Sequence, residues 1–209
     1  MKNLLLEFDG GYAGPVIGVD EAGRGPWAGP VVAAAVILDI RKTGELSEIN
    51  DSKKIPEKKR ELLYEKIIDL CSVYAVSEAS AEVIDRDNVL AATLFCMKNC
   101  IEKLVRSGSG AQTVLVDGIS RPAAEGIKIE TIKDGDAKSL SIAAASIIAK
   151  VHRDRIMRRY DRMFPQYGFS KHKGYGTRQH ILALEKYGLC EIHRKTYKPV
   201  AAVMLNEKK

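Results

Sequence analysis

The sequence predicts an α/β fold, a mixed sheet with helices on both faces. Three observations carry that prediction. Strand-like apolar runs come first, at 16–20 and 31–38, and strands then alternate with helical stretches. The run from Val31 to Leu38 is rich in Val, Ala and Ile with no polar alternation, as in a strand covered on both faces. The stretch from Ser139 to about Met163 reads as one long helix whose first half is apolar all round, hence buried.

Taken in order, residues 1–15 are a turn-rich lead-in that ends in Gly10-Gly11-Tyr12-Ala13-Gly14-Pro15. The first strand, 16–20, runs into two adjacent acids, Asp20-Glu21, and a loop holding Gly23, Arg24, Gly25, Pro26, Gly29 and Pro30. Residues 39–55 are polar, carry Asn50-Asp51-Ser52-Lys53-Lys54, and read as a loop. A helix starts at Pro56, a favoured first helical position, with Leu63, Ile67 and Leu70 as its apolar stripe. Residues 72–77 form a third strand, and 80–106 a helix broken near Asp85–Asn88 and ended by Ser107-Gly108-Ser109-Gly110. Thr113 to Val116 is a short strand ending in Asp117-Gly118. Residues 127–132 alternate as a half-buried strand does, and lead into Lys133-Asp134-Gly135-Asp136. After the long helix, Gly168–Gly176 is a loop. Thr177 caps a helix that stops at Gly188, and a basic stretch, His193 to Pro199, follows. The chain therefore divides into a lead-in (1–15), a core (16–163) and a helical C-terminal extension packing on it (164–209). No internal repeat or low-complexity linker interrupts it.

The 209 residues suit one domain, able to bury roughly 70% of its unfolded surface without staples. A net charge of +6, with a pI near 9.1, leans toward an acidic partner, nucleic acid first. Cys71, Cys96, Cys100 and Cys190 contain no Cys-x-x-Cys pair, which argues against a zinc ribbon or a thioredoxin-type site and for free thiols in a reducing compartment. Leu4-Leu5-Leu6 is too short for a signal peptide, and no stretch reaches the length of a membrane span. The expectation is a cytoplasmic protein with no membrane partner, and by default a monomer.

Three strand-like segments lead into acid: Asp20-Glu21, Asp117 and Asp136. Brought to one edge of a sheet, they would form an all-oxygen site suited to Mg²⁺ or Mn²⁺. Two such ions about 3.5–4 Å apart suit in-line phosphoryl displacement. Read singly, each acid fits a solvated loop residue better; the repeat of the pattern on three strands, one with two adjacent acids, weighs against that. The loop after Asp20-Glu21 is not a dinucleotide fingerprint, because Gly29 comes one residue late, and it has no Walker lysine. Arg24 is either a surface arginine in a turn or part of a Gly-Arg-Gly loop that meets a sugar-phosphate with backbone and guanidinium together. Lys53 and Lys54 are candidate phosphate contacts or a solvated charge run. Asp154 stands four residues from Lys150 and Arg158, so pairing on the helix surface accounts for it. The histidines lack metal-ligand spacing and read as surface or structural groups. Tyr175, flanked by Gly174 and Gly176 among basic residues, either stacks on a sugar or base or packs on the domain.

At these residues the chain resembles ribonuclease HII, the bacterial type 2 ribonuclease H. The resemblance runs from about Val16 to Pro199. It rests on Gly18-Val19-Asp20-Glu21-Ala22-Gly23-Arg24-Gly25-Pro26, Asn50-Asp51-Ser52-Lys53-Lys54, Leu115-Val116-Asp117-Gly118 and Gly135-Asp136. Further support comes from Ala144 to Val151 with Arg153-Asp154, from Phe164 to Gly168, and from His172-Lys173-Gly174-Tyr175. Ribonuclease HIII is less similar, since its loop typically carries Gly-Lys-Gly. The resemblance implies a ribonuclease H-like fold, a mixed five-stranded sheet flanked by helices, with a small C-terminal helical part. It implies that Asp20, Glu21, Asp117 and Asp136 are the catalytic, metal-holding carboxylates. It implies that Gly23, Arg24 and Gly25 contact the sugar-phosphate, that Tyr175 packs on the sugar at the RNA-to-DNA junction, and that Lys53 or Lys54 holds phosphate. The activity implied is that of a metal-dependent endoribonuclease, with two Mn²⁺ or Mg²⁺ ions, acting on RNA/DNA hybrids and on the 5′ side of ribonucleotides embedded in DNA. One departure is Gly176, where the family usually has proline, which predicts a looser Tyr175 loop. The tail, Val203 to Lys209, lacks the aromatic pair of a sliding-clamp peptide.

Overall fold

Five strands form one mixed sheet in the order β3-β2-β1-β4-β5 in a computed structural model that describes residues 4–39, 46, 49 and 55–206. The strands are β1 (Val16–Ala22), β2 (Val31–Leu38), β3 (Cys71–Ala79), β4 (Thr113–Asp117) and β5 (Lys128–Ile132). β2 lies antiparallel to β1 and β3, whereas β1, β4 and β5 are parallel. The three parallel strands therefore deliver their C-terminal ends to one edge, where ligands bind in open α/β sheets.

Both faces are covered, which is why β2 reads as a continuous apolar run. Against one face pack α3 (Ala81–Asp87) and α4 (Val89–Arg106), with Ile17, Val19, Val31, Cys96, Cys100 and Ile101 in a shared core. Asn88 breaks the helical stretch with φ +68 and caps α4, its side-chain oxygen accepting from the N–H groups of Leu90 and Ala91. Against the other face lie α2 (Glu57–Leu70) and the 24-residue α5 (Leu140–Met163), burying Ala34, Val36, Leu63, Ile67, Ala144 and Ile148. β1 approaches α5 so closely that a Cβ on Gly18 would sit 2.1 Å from the Ser141 carbonyl carbon. Pro56 is the N-cap of α2, one residue outside the helix rather than its first residue.

The lead-in holds a helix, α1 (Leu4–Asp9), that composition did not suggest. The buried Asp9 accepts the Ser141 N–H at 2.8 Å and so ties α1 to the start of α5. The C-terminal segments α6 (Phe169–His172), α7 (Arg178–Tyr187) and α8 (Lys198–Asn206) build a smaller core of Tyr167, Phe169, Ala183, Leu184 and Ile192. Ala28 of the glycine loop and Met157 of α5 belong to that same core. The expected 168–176 loop thus contains the four-residue α6. Thr177 caps α7 as its sequence indicates, accepting from the His180 N–H.

Asp154 corrects another expectation. It is buried, and it pairs with Lys150 at 2.5 Å and with Arg60 of α2 at 3.2 Å, not with Arg158. Arg158 reaches Glu57 and Glu61 of α2, and Arg155 reaches Glu61 and Glu65. Much of the basic half of α5 is therefore committed to holding α2.

Candidate active site

The register of β1 on β4 ends with Val19 opposite Val116, so the next residues, Asp20 and Asp117, stand side by side where the two strands part, Asp20 still paired with β2 and Asp117 with β5. Alternation then sends the two adjacent acids of β1 to opposite faces. Asp20 turns toward α5, where the Ser146 hydroxyl hydrogen-bonds it, and its carboxylate accepts the Glu21 N–H at 2.7 Å. Glu21 turns toward α4 and, with Arg24 and Asp117, lines a cleft of about 280 Å³ floored by Leu90, Thr93 and Met97. Asp117 accepts the Gly135 N–H at 2.6 Å, which anchors the turn carrying the buried Asp136. The structure thus gathers Asp20, Glu21 and Asp117 at one sheet end and seats Asp136 one residue beyond the group bonded to Asp117.

Burial pushes the Asp20 carboxyl well above the usual carboxylate range, and the charges of Glu21 and Asp117 push it further. Such a group is stabilised by a cation. Arg24 offers Glu21 only a 3.4 Å contact at the surface, a weak pairing. Among the described residues, no three acidic, histidine or cysteine side chains converge into a ready metal cage. The donor set fits a hard divalent ion in chemistry: carboxylate oxygens, with the most buried carboxylate flanked by like charge.

Two buried arginines, which sequence reading left inside basic runs, lie beneath the glycine loop. Arg153 of α5 donates to the carbonyls of Pro30, Ala28 and Lys173 at 2.9–3.1 Å. Arg194 donates to the carbonyls of Gly23 (2.6 Å), Arg24 (2.9 Å) and Gly29 (2.8 Å), and to the Tyr197 hydroxyl (3.0 Å). The Tyr197 hydroxyl in turn donates to the Arg24 carbonyl at 2.6 Å. Backbone bonds stitch the same loop to the C-terminal segments: Trp27 N–H to Gly174, Gly29 N–H to Ile192, and Arg194 N–H to the Trp27 carbonyl. Gly23 has φ +99, and a Cβ there would lie 2.1 Å from Arg153 Nε, so only glycine fits. No local spacing signals the arginine contacts with the glycine loop, because these span more than 120 positions.

Tyr175 is exposed at the mouth of this loop, its ring edge 3.7 Å from where a Gly25 Cβ would stand. Gly176 does not leave its loop slack. Trp27 occupies the space beside it, and a Cβ at Gly176 would be 2.1 Å from the indole. Lys53 and Lys54 lie outside the described residues.

With this geometry in place, the comparisons with known proteins identify the lineage. The family model for ribonuclease HII matches residues 17–200. The chain belongs to the ribonuclease HII family. A ribonuclease HII of Geotalea daltonii is 53% identical over 204 residues, covering 95% of this chain and 91% of the relative. Among solved structures, ribonuclease H2 from Pyrococcus horikoshii OT3 superposes with a TM-score of 0.76 at 25% identity, over 93% of this chain and 99% of that one. The ribonuclease HII in the PCNA complex from Archaeoglobus fulgidus gives 0.72 at 26% identity, over 90% and 96%. Family membership makes the protein a hydrolytic endonuclease that degrades RNA in RNA/DNA hybrids. The neighbours share its mixed five-stranded, ribonuclease H-like architecture. Among the described residues, no helix is long and apolar enough to cross a membrane.

Proposed function

We propose that this ribonuclease HII hydrolyses RNA/DNA hybrids and also nicks DNA duplexes on the 5′ side of an embedded ribonucleotide, leaving 3′-hydroxyl and 5′-phosphate ends. The observation that carries this reading is the buried, like-charged Asp20 beside Glu21 and Asp117, next to a loop with exposed backbone at Arg24 and Gly25. Asp20, Glu21, Asp117 and Asp136 would hold the divalent ions, Mg²⁺ or Mn²⁺. Two ions, when bound, supply an activated water nucleophile and charge stabilisation at the leaving oxygen. The residues of the chain do the rest. Ser146 and the Glu21 N–H fix the Asp20 carboxylate, and the Gly135 N–H fixes that of Asp117. The 2′-hydroxyl is what distinguishes one ribonucleotide from DNA, so selectivity falls to groups that touch it. Those are the backbone at Gly23–Gly25 and the Tyr175 ring beside Gly25, with Arg24 and either Lys53 or Lys54 on phosphate. PCNA is a partner of the Archaeoglobus protein; the partner proposed for this chain is nucleic acid.

The test is a duplex carrying one ribonucleotide, incubated with Mg²⁺, with Mn²⁺ and with EDTA, beside an all-DNA control. A nick on the 5′ side of the ribonucleotide, dependent on the ion and absent from the control, is the expected result. Asp20→Asn should reduce cutting by at least about 10³-fold while the duplex still binds. Cleavage of the control, or full activity in EDTA, would overturn the reading.

A further inference from the structure

We infer that Arg153 and Arg194 are positioning residues for substrate: a buried pair of guanidinium groups that turns two backbone N–H groups of the glycine loop outward to take a phosphate. The inference rests on the proposed function and adds to it the device that shapes the recognition loop.

A trans peptide puts its carbonyl and the following N–H on opposite sides. Arg194 draws the carbonyls of Gly23 and Arg24 inward. The N–H groups of Arg24 and Gly25 therefore face outward, and among the described residues neither donates to the protein. Successive outward N–H groups make an anion site. Arg153 fixes the far end of the loop through Ala28 and Pro30, and its side chain fills the space a Gly23 Cβ would need. Both guanidiniums are buried, and among the described residues neither has a carboxylate within ion-pair distance; Asp154 acts on Arg153 and Asp85 on Arg194 only from farther off. Burying a charge without a counter-ion is costly. Here carbonyl dipoles satisfy the donors and hold both guanidiniums beneath the loop. Lysine could keep that charge but could not span the same carbonyls, because it lacks the planar fork.

The experiment uses the full chain and three proteins: wild type, Tyr197→Phe and Arg194→Lys. Tyr197→Phe removes one hydroxyl from the Arg24 carbonyl at a half-exposed position, so it tests the clamp without threatening the fold. Equilibrium binding of the single-ribonucleotide duplex is read by fluorescence anisotropy in EDTA. KM and kcat are read with Mn²⁺, and the melting temperature is measured for each protein. Tyr197→Phe loses the bond to the Arg24 carbonyl and the one accepted from Arg194; the expected result is binding weakened about 2–10-fold at unchanged kcat, with a melting temperature only slightly lowered. For Arg194→Lys, KM and Kd should rise together by at least about tenfold, well beyond any change in kcat. A structural role alone would lower the active fraction, so kcat would fall at constant KM; that outcome overturns the inference, as does wild-type binding by both variants. A wild-type protein that binds the duplex but never nicks it would instead sink the function proposed above, and anisotropy would still judge the clamp.

Discussion

Two glycines of one loop separate folding from recognition. Gly23 is fixed by its positive φ and by Arg153 2.1 Å from its missing Cβ, whereas a Cβ on Gly25 would meet nothing closer than 3.7 Å. Gly23→Ala should therefore lower both activity and stability, the latter by about 1–3 kcal/mol, in the manner of an overpacked site. Gly25→Ala should leave the stability within about 0.5 kcal/mol of wild type, as is usual for an exposed site, yet on the proposed reading cut activity on single-ribonucleotide duplexes at least tenfold by standing a methyl at the proposed sugar-phosphate contact. Urea melts and initial rates on the same preparations decide it; a fully active Gly25→Ala would remove that residue from the interface. At this scale the sequence announced the acids, because Asp20-Glu21 and Asp117 interrupt apolar strands and Asp136 follows a glycine. It did not announce Arg153 or Arg194. Each looks like one more cation in a basic run, and the carbonyls that hold it are distant in sequence.

Elements with a strong apolar pattern were legible: β1, β2, β4, β5, α5 and α7 lie within a residue or two of where periodicity, caps and breakers put them. What escaped was short or set from outside. α1 and α6 have six and four residues, too few for a helical repeat to show, and each is held by tertiary contacts. α8 opens at Lys198-Pro199 inside what reads as a basic tail. The Tyr175 loop teaches the same lesson. Glycine at 176 suggests slack, but Trp27, seated 5.7 Å from the His180 ring, fills the room beside it. Gly176→Ala should therefore destabilise by about 1–3 kcal/mol through the displaced indole, and Trp27→Leu in the same chain should recover part of that loss. Thermal melts of the two single variants and the double variant measure the coupling, and strict additivity would show that the two residues do not compete for space.

On the scale of the whole molecule, the C-terminal core is organised around a directed chain of neutral histidines. The Cys190 N–H donates to His193 Nδ1 at 2.9 Å, the two Nε2 atoms of His193 and His180 are 3.0 Å apart, and His180 Nδ1 meets the Tyr175 carbonyl at 3.0 Å. With His193 Nδ1 accepting the Cys190 N–H, the shorter of its two contacts to the Cys190 backbone (the carbonyl is 3.2 Å away), His193 donates to His180, and His180 to Tyr175. Burial pushes both imidazoles down to about 4, helped by His172 nearby. The unfolded chain takes up these protons near 6.5 and the folded chain only near 4. Their contribution to stability is therefore complete above about pH 6.5 and falls by roughly 1.4 kcal/mol per pH unit for each histidine as pH drops toward 4. Urea unfolding between pH 6.5 and 4.5 should show that slope, and His193→Asn should flatten it; an unchanged slope would mean the pair does not titrate as described. The same end of the chain has a consequence for the order of events during synthesis. The central sheet and α5 are complete by residue 163, but the loop after Asp20-Glu21 is gripped by Arg194 and by backbone at residues 174 and 192, all of them beyond α5 in the chain. A ribosome-bound chain can therefore assemble its carboxylates before it can shape the loop beside them.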